Sequence, residues 1–166
     1  MTMTLDGTNG ITFPDNSVQP KASVQPPQSM VRLNTANGYG STNTVIRRFT
    51  NVVTNQGTDI TYADSATLGA AFTINVSGVY AISYTEDYAA ASNFGISLNS
   101  SQLTTAIVSI TATDRLQIAS TTAADQFTPC CWTGYLVAGA VIRPHTAAAA
   151  IGAFPSVVNF TMTRVA

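Results

Sequence analysis

Residues 69–87 read GAAFTINVSGVYAISYTED, and few folds accommodate such a stretch. In extended chain Phe72, Ile74 and Val76 share one side, and Thr73, Asn75 and Ser77 share the other. After Ser77-Gly78 a second alternation places Tyr80, Ile82 and Tyr84 opposite Ala81, Ser83 and Thr85. Period-two patterning on both sides of a short glycine-containing link predicts two strands, paired with each other in antiparallel fashion. Each has one apolar face, which must be buried against a second layer.

Similar runs recur along the chain. Residues 44–62 predict a strand, a turn at Asn55-Gln56-Gly57 and a second short strand. Further strands are expected around Phe94–Leu98, Ile107–Ile110, Leu116–Ile118, Pro129–Val137, Ala140–Pro144 and Val157–Val165, with a turn at Ala138-Gly139. Trp132 and Leu136 fall on one side of their strand, and Phe160 joins the inward set of the last. Four alanines at 147–150 are too few for a stable helix. The fold class expected is all-β, a sandwich or jelly roll of about eight to ten short antiparallel strands over residues 44–166. Its core is expected to hold Phe72, Ile74, Val76, Tyr80, Ile82, Tyr84, Trp132 and Phe160.

Residues 1–43 differ. Pro14, Pro20, Pro26 and Pro27 remove backbone donors and fix φ, and Ser-Val-Gln-Pro occurs twice, at 17–20 and 23–26. This segment is read as an extended attachment arm that orders on a partner. Its expected anchors are Ile11, Phe13, Val18, Val24, Met30, Val31 and Leu33.

Charge narrows the function. Only 9% of the 166 residues are charged, with a single Lys (Lys21) and a single Glu (Glu86), against about a quarter in ordinary soluble domains. A monomer so sparsely charged has little protection against self-association, so burial of its surface in an oligomer is expected. A net charge of -1 and scattered basic residues give no nucleic-acid footprint. No apolar run reaches membrane-spanning length, and MTMTLDGTNG lacks the basic start and apolar stretch of a signal peptide.

Chemistry is sparsely represented. Cys130 and Cys131 are adjacent, so on a strand they point to opposite faces and cannot both serve a site. They are read as small fillers beside Trp132, and the only histidine, His145, as a solvated loop residue. Arg47-Arg48 is expected as an exposed pair at a strand edge, and Glu86-Asp87 as a solvated strand end. Tyr39, Tyr88 and Phe127 are the aromatics expected in loops, available for contact. No catalytic, cofactor-binding or metal-ligating residue is assigned.

Three patterns together resemble the trimeric jelly-roll family of the complement globular head and tumour necrosis factor. These are Phe72-x-Ile74-x-Val76-x-Gly78-x-Tyr80-x-Ile82-x-Tyr84, then Trp132-x-Gly134-Tyr135-Leu136 before a turn, and an apolar strand over Val157–Val165. Ala140 stands where that family often has an acidic residue after the turn glycine. A second resemblance lies in Asn9-Gly10-Ile11-Thr12-Phe13-Pro14-Asp15-Asn16-Ser17-Val18-Gln19, which is similar to a phrase common in tailed-bacteriophage virion proteins. Together the resemblances imply a homotrimeric, non-enzymatic virion protein, made in the host cytoplasm without a signal peptide and placed on the virion surface. A capsid decoration (cement or head-fibre) protein and a small tail appendage both fit, with other capsid or tail proteins as partners. The alternatives are a receptor-binding fibre tip that recognises host glycan or protein, and a carbohydrate-active enzyme, which would need two facing carboxylates.

Overall fold

The computed structural model describes residues 29–42, 44–147 and 149–165, together with the backbone of 4–6, 10–12 and 18–19. The last three pieces are short strands, β1 (Thr4–Asp6), β2 (Gly10–Thr12) and β3 (Val18–Gln19), paired antiparallel in that order. Ten further strands follow. They are β4 (Met30–Tyr39), β5 (Arg47–Gln56), β6 (Ile60–Ser65), β7 (Gly69–Ile74), β8 (Gly78–Thr85), β9 (Ser92–Leu98), β10 (Arg115–Thr121), β11 (Pro129–Leu136), β12 (Val141–Thr146) and β13 (Asn159–Arg164).

These ten form two antiparallel sheets of five, ordered β10-β9-β12-β7-β6 and β11-β8-β13-β4-β5. The result is a jelly-roll sandwich, because alternating strands with one apolar face each are satisfied when two sheets face each other. Phe72, Ile74, Phe94, Ile96 and Ile142 of the first sheet meet Val31, Leu33, Tyr80, Ile82, Tyr84, Phe160 and Met162 of the second, all of them buried. Phe72 stacks on Phe160 with ring centroids 4.5 Å apart, and Tyr84 meets Phe94 edge-on at 5.2 Å. Aromatic contacts of this kind add to the burial term. The expected turns lie where glycine allows a left-handed backbone, Gly57 at φ 77° and Gly139 at φ 90°.

The structure corrects several expectations. β7 and β8 do not pair. β7 lies between β6 and β12, and β8 lies between β11 and β13 in the opposite sheet. The three-residue link Asn75–Ser77 carries the chain across the sandwich, held where the Asn75 amide donates to the Thr58 carbonyl at 2.6 Å and the Thr61 hydroxyl at 2.8 Å. Val76 belongs to this link and is 39% exposed, so it is not a core residue. Trp132 faces inward but is only half-buried. No strand forms over Ile107–Ile110. That segment is a series of turns, with Ile107 and Ile110 buried.

The arm does not extend to residue 43. Met30–Tyr39 is a full strand of the second sheet, paired with β13 and β5. Val31 and Leu33, expected as arm anchors, are core residues with no exposure. Met30, the third of these, is partly exposed on the outer side of the same strand. Bulges hid this strand from the alternation pattern. Register shifts occur at Arg32/Leu33 and at Ala36/Tyr39, and Thr35 adopts φ 65° while its N–H bonds the Val158 carbonyl. Ser29 is already part of the sandwich, its hydroxyl accepting from the Asp59 N–H at 3.0 Å. Ile11 and Val18 fall within β2 and β3, but their side chains lie outside the description. Phe13 and Val24 fall outside the described residues.

Candidate assembly surface

The parity that sends Tyr80, Ile82 and Tyr84 inward sends Val79, Ala81, Ser83 and Thr85 outward. The same holds on β11, β13, β4 and β5, and the register aligns these outward residues in rows across the sheet. One row runs Cys131, Ser83, Thr161, Arg32, Thr54. The next runs Thr133, Ala81, Thr163, Met30, Gln56. Another runs Pro129, Thr85, Asn159, Asn34, Asn51. At the margin Tyr135, 65% exposed, stands opposite Val79, and exposed Val137 and Val165 lie close by. Arg32 is the only charge in these three rows. An outward sheet face in water ordinarily carries Lys and Glu. Short, uncharged side chains give a surface that a second protein layer can approach closely.

The expected exposed charges lie elsewhere. Arg47 is completely buried, where the apolar core ends between the two sheets. Its Nε donates to Glu86 Oε1 at 2.7 Å, and its Nη2 to Glu86 Oε2, a bidentate pair with both side chains fully buried. The Tyr84 hydroxyl donates to Glu86 Oε1 at 2.7 Å. The Tyr39 ring lies 4.3 Å from the Arg47 guanidinium carbon. Burial opposes the Arg47 charge, but Glu86 more than offsets it and holds the guanidinium well above its ordinary range. Burial, reinforced by Glu86, pushes the Tyr84 phenol well above its ordinary range. Asp87 is also buried, and its Oδ2 accepts the Phe154 N–H at 2.7 Å. These two acids are therefore structural. Arg48 is the one of its pair that sits at the periphery, bound to Asp64 at 2.7 Å.

Cys130 is buried and Cys131 exposed, as their adjacency requires. Burial pushes the Cys130 thiol up to about 12, which makes it a poor nucleophile. The Trp132 indole lies against Gly134, where an added Cβ would come within 2.5 Å of the ring. Tyr88 is buried and Tyr39 is half-buried in a strand, so neither is a loop contact. Phe127 is exposed and meets Phe154 edge-on at 5.9 Å. Among the described residues no group of three His, Cys, Asp or Glu side chains is placed to hold a metal.

His145 is likewise not a solvated loop residue. It is a fully buried strand residue of β12 whose Nε2–H donates to the Thr105 carbonyl at 2.7 Å, which leaves Nδ1 without a partner among the described residues. Burial lowers its pKa, Arg143 lowers it further, and the Thr105 bond opposes both. Stability is then complete above the unfolded value, about 6.5, and is lost as pH falls below it toward the lower folded value. Because His145 is the only histidine, the urea midpoint should fall between pH 7 and 5, and fall less in His145→Gln. An equal pH slope in the two proteins would show that His145 does not carry the effect.

The outward rows of the second sheet were the residues that sequence reasoning passed over. Their signal was present as the polar half of each alternation, but only the strand order places them side by side. No family model matches the sequence, and no curated protein matches it. Among solved structures the chain is similar to murine APRIL at pH 5.0, with TM-score 0.52 and 16% identity over 83% of this chain and 99% of that one. It is similar also to Eiger TNF from S. frugiperda, with TM-score 0.52 and 10% identity over 84% of this chain and 94% of that one. At these identities the likeness establishes the fold, a jelly roll of the tumour-necrosis-factor type.

Proposed function

We propose that this chain is a non-enzymatic structural subunit of a tailed-bacteriophage virion, a homotrimer that packs through the outward face of the β11-β8-β13-β4-β5 sheet and attaches through residues 1–28. The observation that carries the reading is that face, three cross-strand rows of mostly short, uncharged side chains with one arginine among them. A face so poor in charge does little to keep identical copies apart, and identical subunits cover it most economically in a closed ring. The resemblance to the trimeric jelly-roll family supports three-fold closure. The phrase Asn9–Gln19 supports a virion setting and gives residues 1–28 the part of the attachment arm. Capsid decoration is the leading version. Recognition of a host glycan by a tail appendage is favoured by one feature, the exposed Phe127–Phe154 pair.

Light scattering at micromolar concentration should give three times the chain mass. Ala81→Arg places a charge between Thr133 and Thr163 on the face and should shift the mass to one chain with the circular dichroism unchanged. A wild-type monomer under these conditions would refute the assembly. A chain beginning at Ser29 should still form the trimer but fail to add back to particles that lack the protein. Equal occupancy by the shortened and full-length chains would place attachment in the sandwich. On micrographs, labelled full-length protein over the whole head means decoration, and label at the tail means an appendage.

A further inference from the structure

The opposite side of the molecule carries a different arrangement. On the outward face of the first sheet, Ser97 of β9 stands directly between Arg115 of β10 and Arg143 of β12. Residues opposite one another on antiparallel strands point to the same side, so the three form one row. Ser97 has no exposure, and its hydroxyl has no hydrogen-bond partner among the described residues. Among the described residues the two arginines also lack counter-charges. The described ion pairs occupy Arg47, Arg48 and Arg164, which leaves Arg32 on the other sheet and, in this row, Arg115 and Arg143, the last two resting on neutral carbonyls, those of Val108 at 3.1 Å and Ala70 at 3.3 Å. Asp114, next to Arg115 in the chain, forms no ion pair with it. Arg143 is half-buried, and burial lowers its pKa with no carboxylate to restore it.

A half-buried guanidinium without an anion is costly, and so is a buried hydroxyl without a partner. One ligand relieves both. We propose that Arg115, Ser97 and Arg143 form an oxyanion site. A phosphate, sulfate or carboxylate group draws the two guanidiniums off their carbonyls to the middle of the row, where the Ser97 hydroxyl is the third donor. Guanidinium forks match the oxygens of such groups in pairs. The row lies on the sheet face turned away from the proposed assembly surface, so packing through that surface does not cover it. The site does not depend on that assembly and stands or falls separately.

Calorimetric melting of the full chain tests it, with sodium phosphate, sodium glucuronate and an oligomer of glucuronate compared with sodium chloride at matched ionic strength. Phosphate stabilises folded proteins generally by exclusion from their surfaces, so the informative quantity is the rise in wild type beyond the rise in the variants. The wild type should show a saturable extra rise, and Arg143→Gln and Ser97→Ala should lose it. A larger extra rise with the oligomer than with phosphate or free glucuronate identifies an acidic saccharide as the source. A larger extra rise with phosphate identifies the free ion. Equal rises in all three proteins overturn the site. If a variant does not fold, ¹⁵N spectra of wild type decide: saturable shifts of the Arg115 and Arg143 Nε–H support it, and shifts no larger than those of Arg32 and Arg48 refute it.

Discussion

Replacing Glu86 by alanine is expected to lower the stability of the fold by about 3–5 kcal/mol. The carboxylate is completely buried and accepts three hydrogen bonds, two from Arg47 and one from the Tyr84 hydroxyl. Its removal leaves a guanidinium with no counter-charge and a phenol with no acceptor where the core ends, and both must remain desolvated. Removing both charges should cost less. The double variant Arg47→Met, Glu86→Leu fills the space with apolar groups and leaves no charge behind, so it should be more stable than Glu86→Ala alone. Urea titrations at pH 7 and equal protein concentration measure both, since stability of an oligomer depends on concentration. A double variant no better than the single would mean that the pair contributes net stability beyond its own desolvation.

Phe72→Ala is expected to cost about 3–5 kcal/mol, from lost burial and from the cavity left behind. Phe72 has no exposure, stacks on Phe160 across the two sheets and touches the Tyr62 ring at 5.2 Å. It therefore joins the sheets, and the loss should appear as a lower melting temperature with circular dichroism unchanged below the transition. Val76→Ala is the matched control. Val76 is in the crossing link at 39% exposure, so its truncation should cost far less. Equal losses at the two positions would mean that the strand ends where the alternation ends and not at Ile74.

Val76 also shows where the alternation stopped being informative. The pattern over Phe72, Ile74 and Val76 continues past the last ladder hydrogen bonds, because a period of two records side-chain placement and not pairing. The same limit produced the hairpin that does not exist. Two alternating runs joined by a short link suit a hairpin and a crossing between sheets equally well. The arm boundary failed for the converse reason: Met30–Tyr39 is a strand whose bulges break the period, so its inward Val31, Leu33 and Ala36 do not alternate. By sequence Arg47, Glu86 and His145 look solvated, because charged and polar residues usually are. Each is buried against a partner far along the chain, 39 residues away for the ion pair and 40 for the histidine.

The sequence by itself determined the class of the fold, most of the inward-facing residues, the turns at Gly57 and Gly139, and a surface too poor in charge for an ordinary solitary domain. These follow from local rules, the pleat of the strand, the freedom of glycine and the composition of the chain. Only the tertiary structure decided which strands are neighbours, and with that the rows of the proposed assembly face, the burial of Arg47 with Glu86, and the meeting of Arg115, Ser97 and Arg143. Those contacts join residues far apart in the chain, and the free energy that selects them comes from packing two whole sheets together, which no local pattern encodes.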